Sequence, residues 1–156
     1  MILYVDASAL VKRYVTETAS EAVGRLTGKV GNVIGTAVVS RAEVSAAMGR
    51  AVRLGVLSDE DGQAAVATFR RDWTNIVRIR VTEAVVARAD RLAWTHGLRG
   101  YDAVHLAAAL QWQDGLDAPV VLATFDQALW RSGQEAGLRV WPDDLMGGEV
   151  SNSPVP

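Results

Sequence analysis

The sequence predicts an α/β domain built on a central, mainly parallel sheet of five strands flanked by helices. Three observations predict it. Short apolar runs, such as residues 2–5 and 120–123, alternate with longer segments whose apolar residues recur at helical spacing. Strands separated by helices pair in parallel, because a helix supplies the crossover that a parallel pair needs. Acids stand just past two of the apolar runs, Asp6 after the first and Asp126 after Val120-Val-Leu-Ala-Thr-Phe125. Ligands bind outside the carboxyl ends of strands in such sheets.

Taken in order, residues 2–5 predict a buried strand and residues 8–16 a short helix. Residues 20–26 predict one or two further helical turns, and Gly28, Gly31 and Asn32 a loop. Residues 32–37 are the second strand. Over 40–54 Ala42, Ala46, Ala47, Val52 and Leu54 recur at helical spacing. Ser58-Asp-Glu-Asp61 has the form of a helix N-cap with acids in the first turn, and Ala64, Ala65, Thr68, Phe69 and Trp73 mark that helix's inner face. Val77-Arg-Ile-Arg-Val81 alternates strictly, as a half-exposed strand does. A helix follows from Thr82, with Val85, Val86, Ala89, Leu92 and Ala93 inward, ending near Gly97. Residues 102–112 are apolar on nearly every side, which predicts a buried helix. Pro119 precedes a buried strand over 120–123, Asp126 starts a helix that stops near Gly137, and residues 138–141 form the last strand. The domain is predicted over 1–146, with 147–156, rich in Gly, Ser, Asn and Pro, as a flexible tail.

A chain of 156 residues with 49% hydrophobic and 22% charged residues has the composition of one ordinary globular domain. No apolar run approaches the roughly 20 residues of a membrane span. The start, Met1-Ile-Leu-Tyr-Val-Asp6, has no basic region ahead of its apolar stretch, so it is predicted to be a strand rather than a signal peptide, in a cytoplasmic protein with no membrane partner. The absence of cysteine excludes disulfides, thiolate nucleophiles and cysteine-ligated zinc. The net charge of −2 disfavours a nucleic-acid grip by broad phosphate neutralisation. Residues 28–35 match neither a dinucleotide-binding glycine pattern nor a phosphate-cradling loop.

Four acids stand where acids are expensive. Asp6 ends an apolar run, Glu43 lies in a small-residue helix, Asp102 opens the most apolar helix, and Asp126 follows a buried strand. An ionised carboxylate beside a core is costly unless it is paired or holds a metal. Four of them suggest one shared site for a hard cation, Mg2+ or Mn2+. Each acid also has a plainer reading. Asp6, or Ser8, could simply cap the following helix. Asp102 and Asp126, taken singly, read more readily as caps. Glu43 could be a surface acid paired with Arg50 or another arginine. Ser8 and Thr124 could hold a ligand carboxylate by hydrogen bonds, and Arg99 could meet a phosphate or neutralise the acids. His105, one helical turn after Asp102, reads as a satisfied interior histidine, and the five tryptophans as core and interface residues.

Taken together, Tyr4-Val-Asp-Ala-Ser-Ala-Leu-Val-Lys12, Ser40-Arg-Ala-Glu-Val-Ser45, Gly100-Tyr-Asp-Ala-Val-His-Leu-Ala-Ala-Ala-Leu110 and Thr124-Phe-Asp126 resemble the PIN-domain nucleases. The resemblance is nearest to the VapC toxins of toxin–antitoxin pairs and runs in order from residue 1 to about 142. It implies a three-layer PIN-like fold and a Mg2+- or Mn2+-dependent endoribonuclease. The family's acidic quartet falls on Asp6, Glu43, Asp102 and Asp126 as catalytic and metal-holding residues, and its helper hydroxyls on Ser8 and Thr124. It also implies an RNA substrate, a VapB-type antitoxin laid over the acids, and a homodimer. The antitoxin's apolar residues are expected beside the helices near 8–16 and 40–54, with Val44 as a contact. One departure is Ala128, where many relatives carry a further acid; its loss weakens a second metal position. Two rivals remain: a catalytically weak PIN-like binding module, and an aspartyl phosphotransferase or phosphatase using Asp6 as nucleophile. The second lacks its usual acid two residues on, where Ser8 stands, and both lysines, Lys12 and Lys29, come early.

Overall fold

The computed structural model describes residues 1–146; residues 147–156, where the sequence predicts a flexible tail, lie outside the described residues. The chain runs β1 (Ile2–Val5), α1 (Ala7–Val11), α2 (Ser20–Gly28), β2 (Val33–Ala37), α3 (Ser40–Arg53) and α4 (Asp59–Asp72). After a 3-10 turn (Trp73–Asn75) come β3 (Val77–Ile79), α5 (Glu83–His96), α6 (Gly100–Leu116), β4 (Val120–Ala123), α7 (Gln127–Glu135) and β5 (Arg139–Trp141).

The sheet is wholly parallel, in the order β3-β2-β1-β4-β5. β1 is central: Tyr4 stands opposite Gly35 of β2 on one side and Leu122 of β4 on the other. The chain moves outward from β1 through β2 to β3, then comes back to lay β4 against the other edge of β1. The strand order therefore reverses between β1 and β4, the place where α/β sheets open a crevice beyond their carboxyl ends.

β1 is apolar throughout because both faces are covered. Successive side chains point to opposite faces. Leu3 and Val5 enter one core with Leu10, Val23, Val44, Met48 and Phe69, from the α1–α4 layer. Tyr4 enters the other with Leu122 and with Val85, Ala89, Leu106 and Leu110, from the α5–α6 layer. The architecture is thus helices, sheet, helices, as the sequence predicts.

Details differ where local pattern is ambiguous. The predicted helix over 8–16 stops at Val11, where Arg13 N–H and Tyr14 N–H bond three residues back, to Leu10 O (3.2 Å) and Val11 O (2.9 Å). The inner face of α3 is Ser40, Val44 and Met48, while Ala42, Ala46, Ala47 and Leu54 are exposed. The longer side chains remove more apolar area from water, so they take the core and the alanines do not. Val44, expected as a partner contact, is fully buried. On α4 the predicted inward Ala64 is exposed, and Gly62 is buried instead. A Cβ at Gly62 would collide with the Val52 side chain, so this glycine lets α3 and α4 approach. Val86 of α5 faces solvent, and β3 covers three residues rather than five. Trp73, Trp130 and Trp141 are core residues, but Trp94 is 92% exposed.

Gly35 is buried in β2 under the six-membered ring of Trp112, which occupies the space a Cβ would fill. Gly35→Ala should therefore destabilise the domain by about 1–3 kcal/mol through overpacking. Urea unfolding followed by tryptophan fluorescence reads this directly, and an unchanged midpoint would contradict the packing described.

Candidate active site

The site forms where β1 and β4 end. Parallel pairing sets Val5 opposite Ala123, and Asp6 N–H donates to Ala123 O at 3.1 Å. Asp6 is the N-cap of α1, its Oδ1 accepting Ala9 N–H at 2.9 Å. The Ser8 hydroxyl is shared between Asp6 Oδ1 (2.8 Å) and Oδ2 (3.0 Å). The Thr124 hydroxyl donates to Oδ2 at 2.9 Å. Both hydroxyls are themselves held: Ser8 Oγ accepts Phe125 N–H (2.9 Å) and Thr124 Oγ1 accepts Asp126 N–H (3.1 Å). The two side chains thereby tie the end of β1 to the end of β4. A carboxylate offers about four acceptor positions. Ala9, Ser8 and Thr124 fill most of those of Asp6 and leave capacity for one further partner.

Asp126 N-caps α7, its Oδ1 accepting Leu129 N–H at 2.8 Å. For Asp6 and Asp126 the capping reading therefore holds. Asp102 is not a cap. Arg99 holds the N-cap position of α6 without a side-chain bond, and Asp102 lies in the first turn. It is half-buried and takes no hydrogen bond from a protein donor among the described residues.

Glu43 lies in the first turn of α3. The turn into that helix is locked by a buried hydroxyl pair, Thr36 Oγ1 and Ser40 Oγ at 2.7 Å. The partner of Glu43 is not Arg50 but His105, whose Nε2 lies 2.9 Å from Oε2. The other ring nitrogen of His105, Nδ1, lies 2.8 Å from the Tyr4 hydroxyl, which also accepts Ala37 N–H at 3.2 Å. His105 is indeed a satisfied interior histidine, and what satisfies it includes a candidate site acid. The signal for its place in the site was its spacing from Asp102: three residues apart in a helix, the two share a face.

Electrostatics join the residues further. Asp6 has a pKa raised above the usual carboxylate range by burial, opposed by the His105 charge and by the hydrogen bonds from Ala9, Ser8 and Thr124. Asp102 is raised as well, first by burial, then by the Asp126 charge and, more weakly, Asp6; His105 and Arg99 pull it down. Burial lowers the His105 pKa, but the hydrogen bond to Glu43 and the charges of Asp6, Glu43 and Asp102 outweigh it, and the net shift is upward. Asp102 thus lies within the field of both Asp126 and Asp6, with Arg99 beside it and Glu43 joined through His105.

As they stand, no three His, Asp or Glu side chains among the described residues are spaced to hold one ion. The donor set itself fits a hard divalent cation: four carboxylates and two hydroxyls, all oxygen, with no sulfur ligand in the chain.

The PIN domain family model matches residues 3–131. Ribonuclease VapC45 and Ribonuclease VapC49, both of Mycobacterium tuberculosis, are 34% identical to this chain over 144 residues, covering 92% of it and 97% of each relative. The chain belongs to the PIN-domain family, of the VapC type. The fold of this PIN domain recurs in solved structures of low sequence identity. A toxin–antitoxin complex from Klebsiella pneumoniae aligns at TM-score 0.56 with 14% identity, over 80% of this chain and 86% of that one. VapBC2 from Rickettsia felis, solved bound to a DNA fragment from its promoter, aligns at TM-score 0.59 with 14% identity, over 90% of this chain and 97% of that one. Among the described residues, no helix of this PIN domain is long and apolar enough to cross a membrane.

The raised pKa values carry a stability consequence. A carboxyl whose pKa is higher folded than unfolded binds its proton more tightly in the folded state. Its contribution is therefore most favourable at low pH and is lost as pH rises from the unfolded value of 3.8 through the raised folded value. Asp102→Asn removes one such group. In metal-free protein its stability relative to the parent should improve on going from about pH 4 to about pH 7. Urea unfolding at the two pH values measures this, and a difference that stays constant or moves the other way contradicts the electrostatics described.

Proposed function

We propose that this PIN domain is the endoribonuclease toxin of a toxin–antitoxin pair and that it hydrolyses RNA phosphodiester bonds at the Asp6, Glu43, Asp102 and Asp126 cluster with a divalent cation. The observation that supports this reading is that Asp102 lies in the electrostatic field of both Asp126 and Asp6, the latter at the strand-order reversal. It is supported by the 34% identity to two ribonucleases over nearly their whole length. The four carboxylates would hold Mg2+ or Mn2+, which when bound relieves charge on the phosphoryl oxygens and activates a water.

The chain's own residues divide the work. Asp6 is held rigidly by Ala9, Ser8 and Thr124, so it meets a cation in one orientation. A phosphotransferase is disfavoured because Ser8 stands where its second acid is usually found, two residues after Asp6. Asp102 keeps the most acceptor capacity and is the acid best able to bind a cation or orient a water. Asp126 is half committed to capping α7, so its loss is the mildest. Arg99, exposed at the start of α6 and near Asp102, can pair with a substrate phosphate. A near-neutral chain suits this arrangement, because the cation and one or two arginines provide a local grip on RNA. The partner we propose is a VapB-type antitoxin that sets a basic side chain over the acids, a charge that takes the cation's place. We also propose a homodimer in a cytoplasmic toxin.

Asp6→Asn should fold and lose more than the roughly 10–100-fold that removal of an outer hydrogen-bond partner brings. Thr124→Val, which removes one donor to Asp6, should fall within that 10–100-fold range. Cleavage of a labelled RNA with added Mg2+ or Mn2+ measures both. An Asp6→Asn protein that cleaves as fast as its parent rules the mechanism out. For the dimer, light scattering at micromolar concentration should report twice the chain mass, and a monomer there removes that part of the proposal.

A further inference from the structure

Four groups from four different elements form one line through the protein. Ala37 N–H, at the end of β2, points to the Tyr4 hydroxyl of β1 at 3.2 Å. That hydroxyl meets His105 Nδ1 of α6 at 2.8 Å, and His105 Nε2 meets Glu43 Oε2 of α3 at 2.9 Å. Tyr4 is fully buried and His105 is 2% exposed. Such groups are seldom left in a core unless each is paired. Among the described residues no buried side-chain nitrogen or oxygen lacks a partner.

We propose that Tyr4 and His105 are positioning residues: their hydrogen-bond chain keeps an N–H of His105 on Glu43 and so holds that carboxylate in the site. This deepens the proposed function and rests on Glu43 being one of the acids that face the cation. The direction of the chain follows from donor and acceptor capacity. Ala37 can only donate, so it uses one acceptor position of the Tyr4 oxygen. The hydroxyl proton then needs an acceptor, and His105 Nδ1 is the one in reach. Burial raises the Tyr4 pKa well above 10.0, so that proton stays in place. With Nδ1 accepting, the ring proton is on Nε2, facing Glu43. An imidazolium would keep Nε2–H as well, so Glu43 receives its bond in either charge state. Glu43 comes from the α1–α4 layer and His105 from the α5–α6 layer, so the chain also fixes one layer against the other at the site.

Three variants separate positioning from packing. Tyr4→Phe keeps the ring and deletes the hydroxyl. His105→Leu keeps most of the volume and deletes both nitrogens. His105→Gln keeps an N–H donor near the position of Nε2. Mn2+ binding to the whole chain, read by titration calorimetry, should weaken about 10–100-fold in Tyr4→Phe and His105→Leu. His105→Gln should recover a large part of that loss. Nitrogen-15 NMR of the ring nitrogens in mildly alkaline buffer gives a readout that packing does not move, and with only two histidines the assignment is simple. The wild-type ring should carry its proton on Nε2, and Tyr4→Phe should shift that tautomer balance. A wild-type Nε2 without a proton overturns the proposal, and needs no variant to fold. Mn2+ bound equally by wild type, Tyr4→Phe and His105→Leu overturns it too, while leaving the metal-site reading intact. A wild-type chain that binds no Mn2+ overturns the metal-site reading and this inference with it.

Discussion

Asp6 carries a carboxylate to the end of the central strand with 4% of its surface exposed. A charge placed there must be met by donors or the fold pays heavily in desolvation. The donors come from three places: the first turn of α1, Ser8 two residues on, and Thr124 from the adjacent strand. Each sets a local requirement. The strand must turn into a helix at once, so that Ala9 N–H is available. A hydroxyl must stand two residues after the acid. The β1–β4 register must set Val5 opposite Ala123, which carries Thr124 to the same level as Asp6. A slip of one residue would turn Thr124 to the other face of the sheet and strip Asp6 of a donor. The pairing of the two central strands and the chemistry of the site are therefore one constraint.

β1 delivers a second functional group one step earlier. Alternation along the strand sends Val5 into the α1–α4 layer and Tyr4 into the α5–α6 layer. The tyrosine hydroxyl reaches His105 there, and His105 reaches Glu43 on the opposite layer. Two helical layers separated by a sheet can touch only around its margins. Here they touch through a polar line at the carboxyl end, where the acids are. The buried Thr36–Ser40 pair contributes to the same end by setting the angle at which α3 leaves β2.

How much of this was legible in the sequence depended on distance along the chain. The strands 2–5 and 120–123 stood out because short apolar runs bounded by polar or proline residues have few other readings, and both appear where expected. The acids stood out because a carboxylate beside a core is unusual enough to need a reason. The sequence leaves Asp6 open as a cap or a site residue, and the structure shows that it caps α1. The face of α3, and Ala64 on α4, are not legible because alanine is compatible with core and surface alike, whereas Phe69 and Trp73 are buried as expected. The decisive residues were Val44, Met48 and a glycine under Val52. Of the Tyr4–His105–Glu43 line, only the place of His105 one turn after Asp102 was legible. Its bonds join residues 101 and 62 positions apart, and they exist only once the sheet register and the packing of α6 have been set.

A cluster of carboxylates should repel itself apart, and the topology explains why this one is tolerated. In a parallel sheet with helical crossovers, each strand ends where the next helix begins, so helix N-termini collect at the carboxyl end of the sheet. A helix N-terminus carries unpaired N–H groups and a partial positive charge, which favours an acid in the cap or first turn. All four acids occupy such positions: Asp6 caps α1, Asp126 caps α7, Glu43 lies in the first turn of α3 and Asp102 in that of α6. Four helix dipoles converge on the region where the negative charge accumulates. They do not remove the repulsion: beneath the larger effect of burial, the Asp126 and Asp6 charges still push the Asp102 pKa up. A helix N-terminus favours a nearby acid by about 0.3–1 kcal/mol, which offsets part of that repulsion. The residual strain is what a divalent cation, or a basic side chain of an inhibitor, would relieve. The arrangement that stabilises the helices thus also sets several negative charges at one end of the sheet, which is the feature the proposed cation site rests on.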